Sequence, residues 1–408
     1  MRFVRIARST RMWRNWQTRR LQEPVSARTW RFDSSHPHSP SDGRSGVARP
    51  SVFVARRAEE LGELYESRLG GRRVRRRGGA YYTPAPLVEH VLDGTLRVAI
   101  REGQRRSLPT VLDPACGAGA FLVRAYRRLL EEYARRRPLR PADRKRILLN
   151  CIHGVDIDPG AVEVTRRSLR LVLAEEGGAG RGALPDLSRN IRCGDALLGI
   201  EWACEFDVVI GNPPWGQKGI DKDDDRIRRL RERFESLGGI FDLFRPFVEL
   251  GIRLTRVGGR FGMVLPDIVL LKNYEATRRH MLDKLTLTAI DWWGMAFDGA
   301  VIDAATICGV KECAPAGHRV KVAIRDPADP LAHEIPQADF VRNPRCTFNL
   351  RLTTDKRAVL DRLADRPRIG DFFEIHEGVH SGNIRSELFV DGRVDASCRK
   401  LLFGRGEI

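Results

Sequence analysis

The sequence lacks several features that would define its class at once. No run of apolar residues approaches the roughly 20 that a membrane-spanning helix needs, so we expect no membrane span. The arginine-rich start has no apolar segment of the kind found in secretory signals. The eight cysteines include no CxxC pair, so we predict no metal site. Scattered cysteines without a secretory signal favour a reducing cytoplasm.

What the chain does contain is a surplus of positive charge. Its 408 residues suffice for two or three domains, and a composition of 42% hydrophobic and 30% charged residues is typical of globular proteins. The formal net charge is +18, and residues 1–78 contribute much of it through arginine, with no lysine. Two interpretations stay open: a polyanionic partner such as nucleic acid, or a disordered basic tail on a mildly basic enzyme.

Residues 1–50 show neither helical nor strand periodicity and are rich in Arg, Ser and Pro, so we predict a disordered basic tail. The run from Met12 to Arg20 resembles a tRNA gene translated as protein. If so, the start codon has been assigned too far upstream. The alternative is a basic arm with interleaved aromatic residues that binds nucleic acid.

Alternating strand and helix patterns follow from residue 110 onwards. Apolar strand-like runs end successively at four polar residues: Asp113, Asp156, Asp195 and Asn212. Such a rhythm predicts an open, mostly parallel, doubly wound α/β sheet whose ligands bind at the carboxyl ends of the strands. Two later runs, residues 288–293 and 300–310, predict an antiparallel hairpin beside this sheet.

The run Asn212-Pro213-Pro214-Trp215 lies at one of these strand ends. Two prolines stop the strand, because they lack backbone donors. An amide and an indole in an exposed turn suit a planar ring that bears an exocyclic amine. The Asn212 Oδ1 atom and a main-chain carbonyl would accept the two N–H bonds, and Trp215 would stack on the ring.

A glycine-containing turn follows the strand that ends at Asp113. Gly117 and Gly119 allow a ligand to approach the backbone closely, although a lone GxG is weak evidence by itself. Upstream, Thr83 precedes a proline and can cap a helix. Asp156, at the end of the second strand, is placed to bind ribose hydroxyls, as in dinucleotide-binding folds.

These motifs, in this order, resemble N6-adenine DNA methyltransferases of the γ class, of the type found in type IIG restriction-modification and phage-defence systems. The residues that carry the resemblance are YYTP at 81–84, DPACGAGAF at 113–121 and NPPW at 212–215. The resemblance covers residues 79–310 and implies a Rossmann-like fold that uses S-adenosylmethionine. Residues 377–408 resemble the entry to that family's target-recognition domain.

The resemblance also implies roles for individual residues. Asn212, Pro213, Pro214 and Trp215 would be catalytic, and Phe297 would be a second aromatic wall for an adenine extruded from duplex DNA. The residues implied to bind the cofactor are Tyr82, Thr83, Asp113, Ala115, Gly117, Gly119, Asp156 for the ribose, and Asp195 for the adenine amine.

The resulting domain prediction has three parts: residues 1–50 as the tail, 51–340 as the catalytic domain, and 341–408 as a linker with an incomplete recognition domain. The expected partner is double-stranded DNA, with a second polypeptide completing recognition. Three alternatives stay open: a protein-glutamine methyltransferase, an N4-cytosine methyltransferase, and a non-catalytic remnant.

Overall fold

The computed structural model divides the chain into two compact units: Val52–Ala364, and Met1–Ser51 together with Asp365–Ile408. The residues that the structure describes are 3–5, 58–69, 83–102, 108–178, 184–216, 225–296, 303–373, 389–390 and 398–400. Among them, no helix combines the length and apolar character needed to cross a membrane.

The strands run through both units. In chain order they are β1 (Phe3–Arg5), β2 (Val111–Asp113), β3 (Ile152–Asp156), β4 (Ile191–Cys193), β5 (Phe206–Gly211), β6 (Thr255–Pro266), β7 (Thr286–Gly294), β8 (Ala304–Val310), β9 (Arg319–Ile324), β10 (Leu331–Pro336), β11 (Phe389–Val390) and β12 (Cys398–Lys400).

The helices are listed in the same way. They are α1 (Ala58–Leu69), α2 (Ala85–Gly94), α3 (Leu96–Glu102), α4 (Ala120–Arg136), α5 (Pro141–Cys151), α6 (Pro159–Glu175), α7 (Asp225–Arg233), α8 (Phe244–Leu254), α9 (Ile268–Leu271), α10 (Glu275–Lys284), α11 (Gln337–Arg342), α12 (Thr354–Arg362) and α13 (Ile369–Phe372).

The larger unit is built on a nine-stranded sheet of order β10-β9-β7-β8-β6-β5-β2-β3-β4. Strands β4, β3, β2, β5 and β6 are mutually parallel, whereas β8 is antiparallel to both β6 and β7. This arrangement confirms the predicted mostly parallel sheet with its late hairpin. The strands β9 and β10, which extend the sheet beyond β7, were not predicted.

Helices cover both faces of the parallel strands, so the sheet is doubly wound. Val208 and Ile210 of β5 lie in a core formed with α2 to α6, whereas Val209 lies in a second core formed with α7 and α8. Burial on both faces explains why β5 is an almost continuous apolar run. The unit extends past residue 340, since Phe348 and Leu350 are buried in a third core under β6 to β9.

The chain direction across the sheet reverses between β2 and β5. From β2 the chain continues outward to β3 and β4, and β5 then pairs on the other side of β2. Ligands in open α/β sheets bind at such switch points, outside the carboxyl ends of the strands. The turns after β2 and β5 meet at this point.

In the smaller unit, β1 pairs antiparallel with both β11 and β12. Of the 50 residues predicted to be disordered, the structure describes only Phe3–Arg5, which form a strand instead. The rest of that prediction lies outside the described residues, as does most of the segment that resembles a recognition-domain entry. Those domain assignments stay predictions.

We expect Gly154→Val to destabilise the larger unit by about 1–3 kcal/mol, because overpacking a tight core forces side chains from their rotamers. A Cβ atom at Gly154 would lie 2.6 Å from Leu122 Cδ1 and 3.1 Å from Cys116 Cβ. Urea unfolding measures the loss. Gly238→Ala is the control, because its Cβ would contact only Ala276 Cβ, at 3.7 Å; equal unfolding midpoints for the two variants would contradict the expectation.

Candidate active site

The turn between β2 and α4 has a backbone conformation that requires glycine. Gly117 and Gly119 have φ values of 50° and 92°, in the left-handed region where a side chain is strained. At Gly119 a Cβ would also lie 2.9 Å from Thr165 Oγ1. The turn leads directly into α4, whose first backbone N–H groups have no partner within the helix.

One buried carboxyl group, Asp113, and one partly buried carboxyl group, Asp156, hold this turn. Asp113 accepts a hydrogen bond from Ala115 N at 3.0 Å, and Asp156 accepts one from Gly117 N at 2.8 Å. Asp113 is only 1% exposed, and burial raises its pKa to about 8. Burial also raises the pKa of Asp156, which accepts a second bond from Asp158 N at 2.9 Å. The structure thus brings two predicted cofactor residues to one turn.

The residue after Asp156 is an exposed isoleucine, Ile157, with 61% of its surface accessible. Ile157 lies between Asp156 and Asp158 at the carboxyl end of β3, and most of its apolar side chain is not covered by other residues. Next to it, Asp158 caps α6 by accepting from Gly160 N at 2.9 Å, and Tyr65 Oη of α1 donates to it at 2.9 Å. Asp158-Pro159 is a helix-start signal, but its link to Tyr65 needed the tertiary structure.

Asp195 follows β4 and lies beside a cavity of about 450 Å³. Its Oδ1 accepts from Leu197 N at 2.9 Å, and its Oδ2 forms an ion pair with Arg226 at 3.0 Å. The cavity is lined by Asp195, Leu198, Gly199, Asp225, Arg226 and Arg229. The sequence predicted Asp195 at a ligand site, but it did not predict the arginine that shares its carboxylate.

The segment Asn212-Pro213-Pro214-Trp215 leaves β5 with its amide held in one orientation. Asn212 Nδ2 donates to Thr83 Oγ1 at 3.1 Å. The Asn212 Oδ1 atom is buried and accepts no hydrogen bond from any residue that the structure describes. The partly buried Trp215 packs against two of the hydrophobic cores. The site therefore has one buried acceptor with unused capacity.

A buried aspartate supports the far end of this segment. Gly216 N donates to Asp242 Oδ1 at 2.7 Å, and Tyr274 Oη donates to Asp242 Oδ2 at 3.3 Å. Burial raises the pKa of Asp242, which is 4% exposed. Sequence reasoning missed this residue, which precedes α8 by two positions; its only sequence signal is an acid before an apolar helix.

The glycine turn and the Asn212 segment are in direct contact. A Cβ at Gly211 would lie 2.6 Å from Asp113 Oδ1, so only glycine permits this approach. Thr83 reaches the same place from the start of α2, through its bond to Asn212. Three segments far apart in sequence therefore converge at the switch point between β2 and β5.

A polar cluster fixes the end of β7, three residues before Phe297 in the sequence. Asp291 binds His90 Nε2 at 2.9 Å and Arg325 at 2.7 Å. The Arg325 guanidinium lies over the Trp293 ring at 4.6 Å, and Trp293 Nε1 donates to Thr306 Oγ1 at 3.0 Å. The cluster joins α2, β7, β8 and the end of β9, and none of these contacts was predicted.

Two predicted site residues, Tyr82 and Phe297, lie outside the described residues. The structure brings together Thr83, Asp113, Ala115, Gly117, Asp156 and Asn212, and Gly119 lies in the same turn as Gly117. In the part of the chain that is described, no group of three or more His, Cys, Asp or Glu side chains is arranged to hold a metal ion.

Comparison with known proteins shows what this part of the chain is similar to. Residues 150–294 match the family model described as Eco57I restriction-modification methylase. Type II methyltransferase M.VspI from Vibrio sp. (strain 343) is 26% identical over 315 residues, which cover 76% of this chain and 65% of that protein. The adenine-specific methyltransferase PglX of Streptomyces coelicolor is 28% identical over 250 residues, covering 50% of this chain and 20% of PglX.

Among solved structures, the cryoEM structure of a DrdV–DNA complex aligns with a TM-score of 0.53 and 14% identity. The alignment covers 73% of this chain and 34% of that one, and at this identity it shows the fold alone. The chain spans 65% of M.VspI and 20% of PglX. Residues 150–294 are therefore similar to restriction-modification methylases of the Eco57I type, and the chain shares the α/β fold of the DrdV structure.

Proposed function

We propose that this chain transfers a methyl group from S-adenosylmethionine to the exocyclic N6 of an adenine extruded from duplex DNA. In the cell it would act within a restriction-modification or phage-defence system. One observation carries the proposal: Asn212 Oδ1 is buried without a donor among the described residues, while Thr83 engages Nδ2 of the same amide. A buried acceptor left unpaired costs about 1–3 kcal/mol, and an incoming N–H group would relieve that cost.

The amide arrangement suits an aromatic amine. Asn212 Oδ1 and the Pro213 carbonyl would accept both N–H bonds of the amino group, which favours a more tetrahedral nitrogen with its lone pair directed at the methyl donor. Trp215 would stack on the ring, and stacking of this kind contributes about 1–3 kcal/mol per base. That gain offsets part of the few kcal/mol needed to extrude a base from the duplex.

The residues around the glycine turn fit S-adenosylmethionine. Gly117 and Gly119 leave the backbone open to close approach, and Ala115 lies between them and Asp113. Asp156 would accept ribose hydroxyls, since each of its oxygens has a second lone pair beyond its backbone bond. Asp195, beside its cavity, would accept the adenine amine. When bound, the cofactor supplies an electrophilic methyl group on a sulfonium.

The chain's own residues would then catalyse by position and electrostatics. Thr83 holds Asn212, and Asp242 holds Gly216, so the amine acceptors are oriented before the base arrives. Such preorganisation removes the need for a covalent enzyme intermediate. The tightly packed Gly211 and Asp113 keep the base segment against the cofactor turn.

The comparisons support a nucleobase as the substrate. The family description names restriction-modification, and PglX is described as adenine-specific. The amide arrangement alone fits N4 of cytosine or a glutamine side chain equally well. Transfer of labelled methyl from S-adenosylmethionine to unmodified duplex DNA, followed by nucleoside mass spectrometry, should yield N6-methyladenine. N4-methylcytosine, labelled protein, or no product with cofactor bound would each overturn the proposal.

We predict that Asn212→Ala lowers methyl transfer at least about 100-fold, because the variant loses the buried acceptor that orients the amine. The dissociation constant for S-adenosylhomocysteine, measured by calorimetry, should stay within about twofold. Asn150→Ala, which removes an exposed amide from the end of α5, is the matched control and should retain full turnover. Near-normal turnover in Asn212→Ala would refute the role of this side chain.

We also predict that the cofactor-free protein loses stability as pH rises from about 5 to about 7.5. Below its folded pKa of about 8, native Asp113 holds a proton that the unfolded chain has released above about pH 4. Rising pH therefore favours unfolding, by up to about 1.4 kcal/mol per pH unit for this group. Asp113→Asn should flatten the dependence of the urea midpoint on pH; an unchanged slope would contradict the assignment.

A further inference from the structure

The turn at residues 343–348 has a strained backbone outside the site described above. Arg345 and Cys346 have φ values of 55° and 52°. Among the described residues, they are the two non-glycine residues with a left-handed backbone. Two successive side chains in this region persist only where the surroundings enforce the geometry, as at binding sites. The turn is anchored to α9 by a bond from Phe348 N to Leu270 O at 2.8 Å.

A fully buried arginine enforces this conformation. Arg278 of α10 is 0% exposed and donates to Arg345 O at 3.0 Å, to Cys346 O at 3.1 Å and to Val269 O at 2.7 Å. Burial lowers the pKa of Arg278, and it forms no ion pair with a described residue. A second buried arginine, Arg245, lies over the Tyr274 ring at 5.4 Å, and burial lowers its pKa to about 10, so it stays charged at neutral pH.

The strained turn presents the exposed side chain of Arg345 beside two exposed residues that follow α9. Arg345 donates to Asn273 Oδ1, and Lys272 is the next residue along the surface. We call Lys272, Asn273 and Arg345 the phosphate ledge. Neither cation of the ledge forms an ion pair within the described residues. Asn273 is exposed and accepts through Oδ1, and its amide nitrogen is a further potential donor.

The ledge lies next to the proposed base-binding segment. Tyr274, which follows Asn273, shares Asp242 with Gly216, the residue after Trp215. Among the nearby acids, Asp242 accepts from these two donors and Glu275 pairs with Arg279 at 3.0 Å, whereas Asp267 interacts electrostatically with Lys272 and with Asp303. The four cations Lys272, Arg345, Arg245 and Arg278 outnumber the acids Asp242, Asp267 and Asp303, so this region carries a net positive charge, which attracts polyanions.

We propose that the phosphate ledge binds backbone phosphates of the DNA strand that flanks the extruded base. The inference rests on the proposed function and adds to it the surface that holds the strand. Arginine, lysine and amide N–H groups are the usual donors to phosphate oxygens, and such contacts position a duplex without reading its sequence. The hydrogen bond to Asn273 already restricts the Arg345 side chain, so less side-chain freedom is lost when a phosphate binds.

The test uses the full chain and an unmodified duplex, with dissociation constants measured over a range of salt concentrations. Lys272→Ala removes one cation. Arg345→Asn removes the other and keeps the turn, since asparagine tolerates positive φ. Each variant should lower the slope of log K against log salt by about 0.9, which corresponds to about eightfold weaker binding at ~0.1 M salt. The loss should be the same for unrelated DNA sequences.

Lys145→Ala is the matched control, because Lys145 is an exposed cation of α5, which leads into the opposite end of the sheet. This control and Arg345→Lys should both keep the wild-type salt slope. Unchanged slopes in the two ledge variants, or no binding of DNA by the wild-type chain, would overturn the proposal that the ledge binds phosphates. Methylation with unchanged slopes would refute the ledge alone. Slopes that fall as expected without any methylation would refute the proposed reaction alone.

Discussion

The site depends on a single hydrogen bond between side chains 129 positions apart, from Asn212 Nδ2 to Thr83 Oγ1. Thr83 engages the donor end of the amide, and the buried acceptor end has no hydrogen-bond donor among the described residues. An asparagine free to rotate would present either end to an incoming amine, and only one of them is productive. The bond also joins the start of α2 to the end of β5. The orientation of the amide therefore depends on how α2 packs.

Buried charged groups also hold the backbone on either side of the Asn212 segment in place. Asp242 holds the segment's far end, and Arg245 secures the residues before Asp242 through carbonyl bonds such as that to Gly238 O at 2.9 Å. Arg278 does the same for the neighbouring turn. Buried charged groups are costly unless hydrogen-bonded, and their geometry is correspondingly rigid. The segments that neighbour the site are therefore held by hydrogen bonds from buried guanidinium groups to backbone carbonyls as well as by apolar packing.

Periodicity and chemistry along the chain were enough to predict the elements at the switch point. The apolar runs ending at Asp113, Asp156 and Asn212 placed those residues on one sheet edge, because parallel strands share their carboxyl ends. The polar cluster of His90, Asp291 and Arg325 could not be found in this way. Each member belongs to a different element, and nothing in its neighbours signals a partner. Strands β9 and β10 were not predicted, although Val320, Val322 and Ile324 of β9 are buried in alternation with more exposed residues, which is the pattern of a half-buried strand.

The sequence by itself determined the fold class and the chemical groups that the site uses, because strand periodicity and the NPPW and DPACGAG motifs are local properties. Tertiary structure decided which of those groups have capacity left for a ligand. Asn212 Oδ1 is available only because Thr83 is packed beside it, and Asp195 already shares its carboxylate with Arg226. Whether a polar group already has a hydrogen-bond partner depends on its neighbours in space. The sequence therefore identifies the donors and acceptors but does not show which of them are already paired.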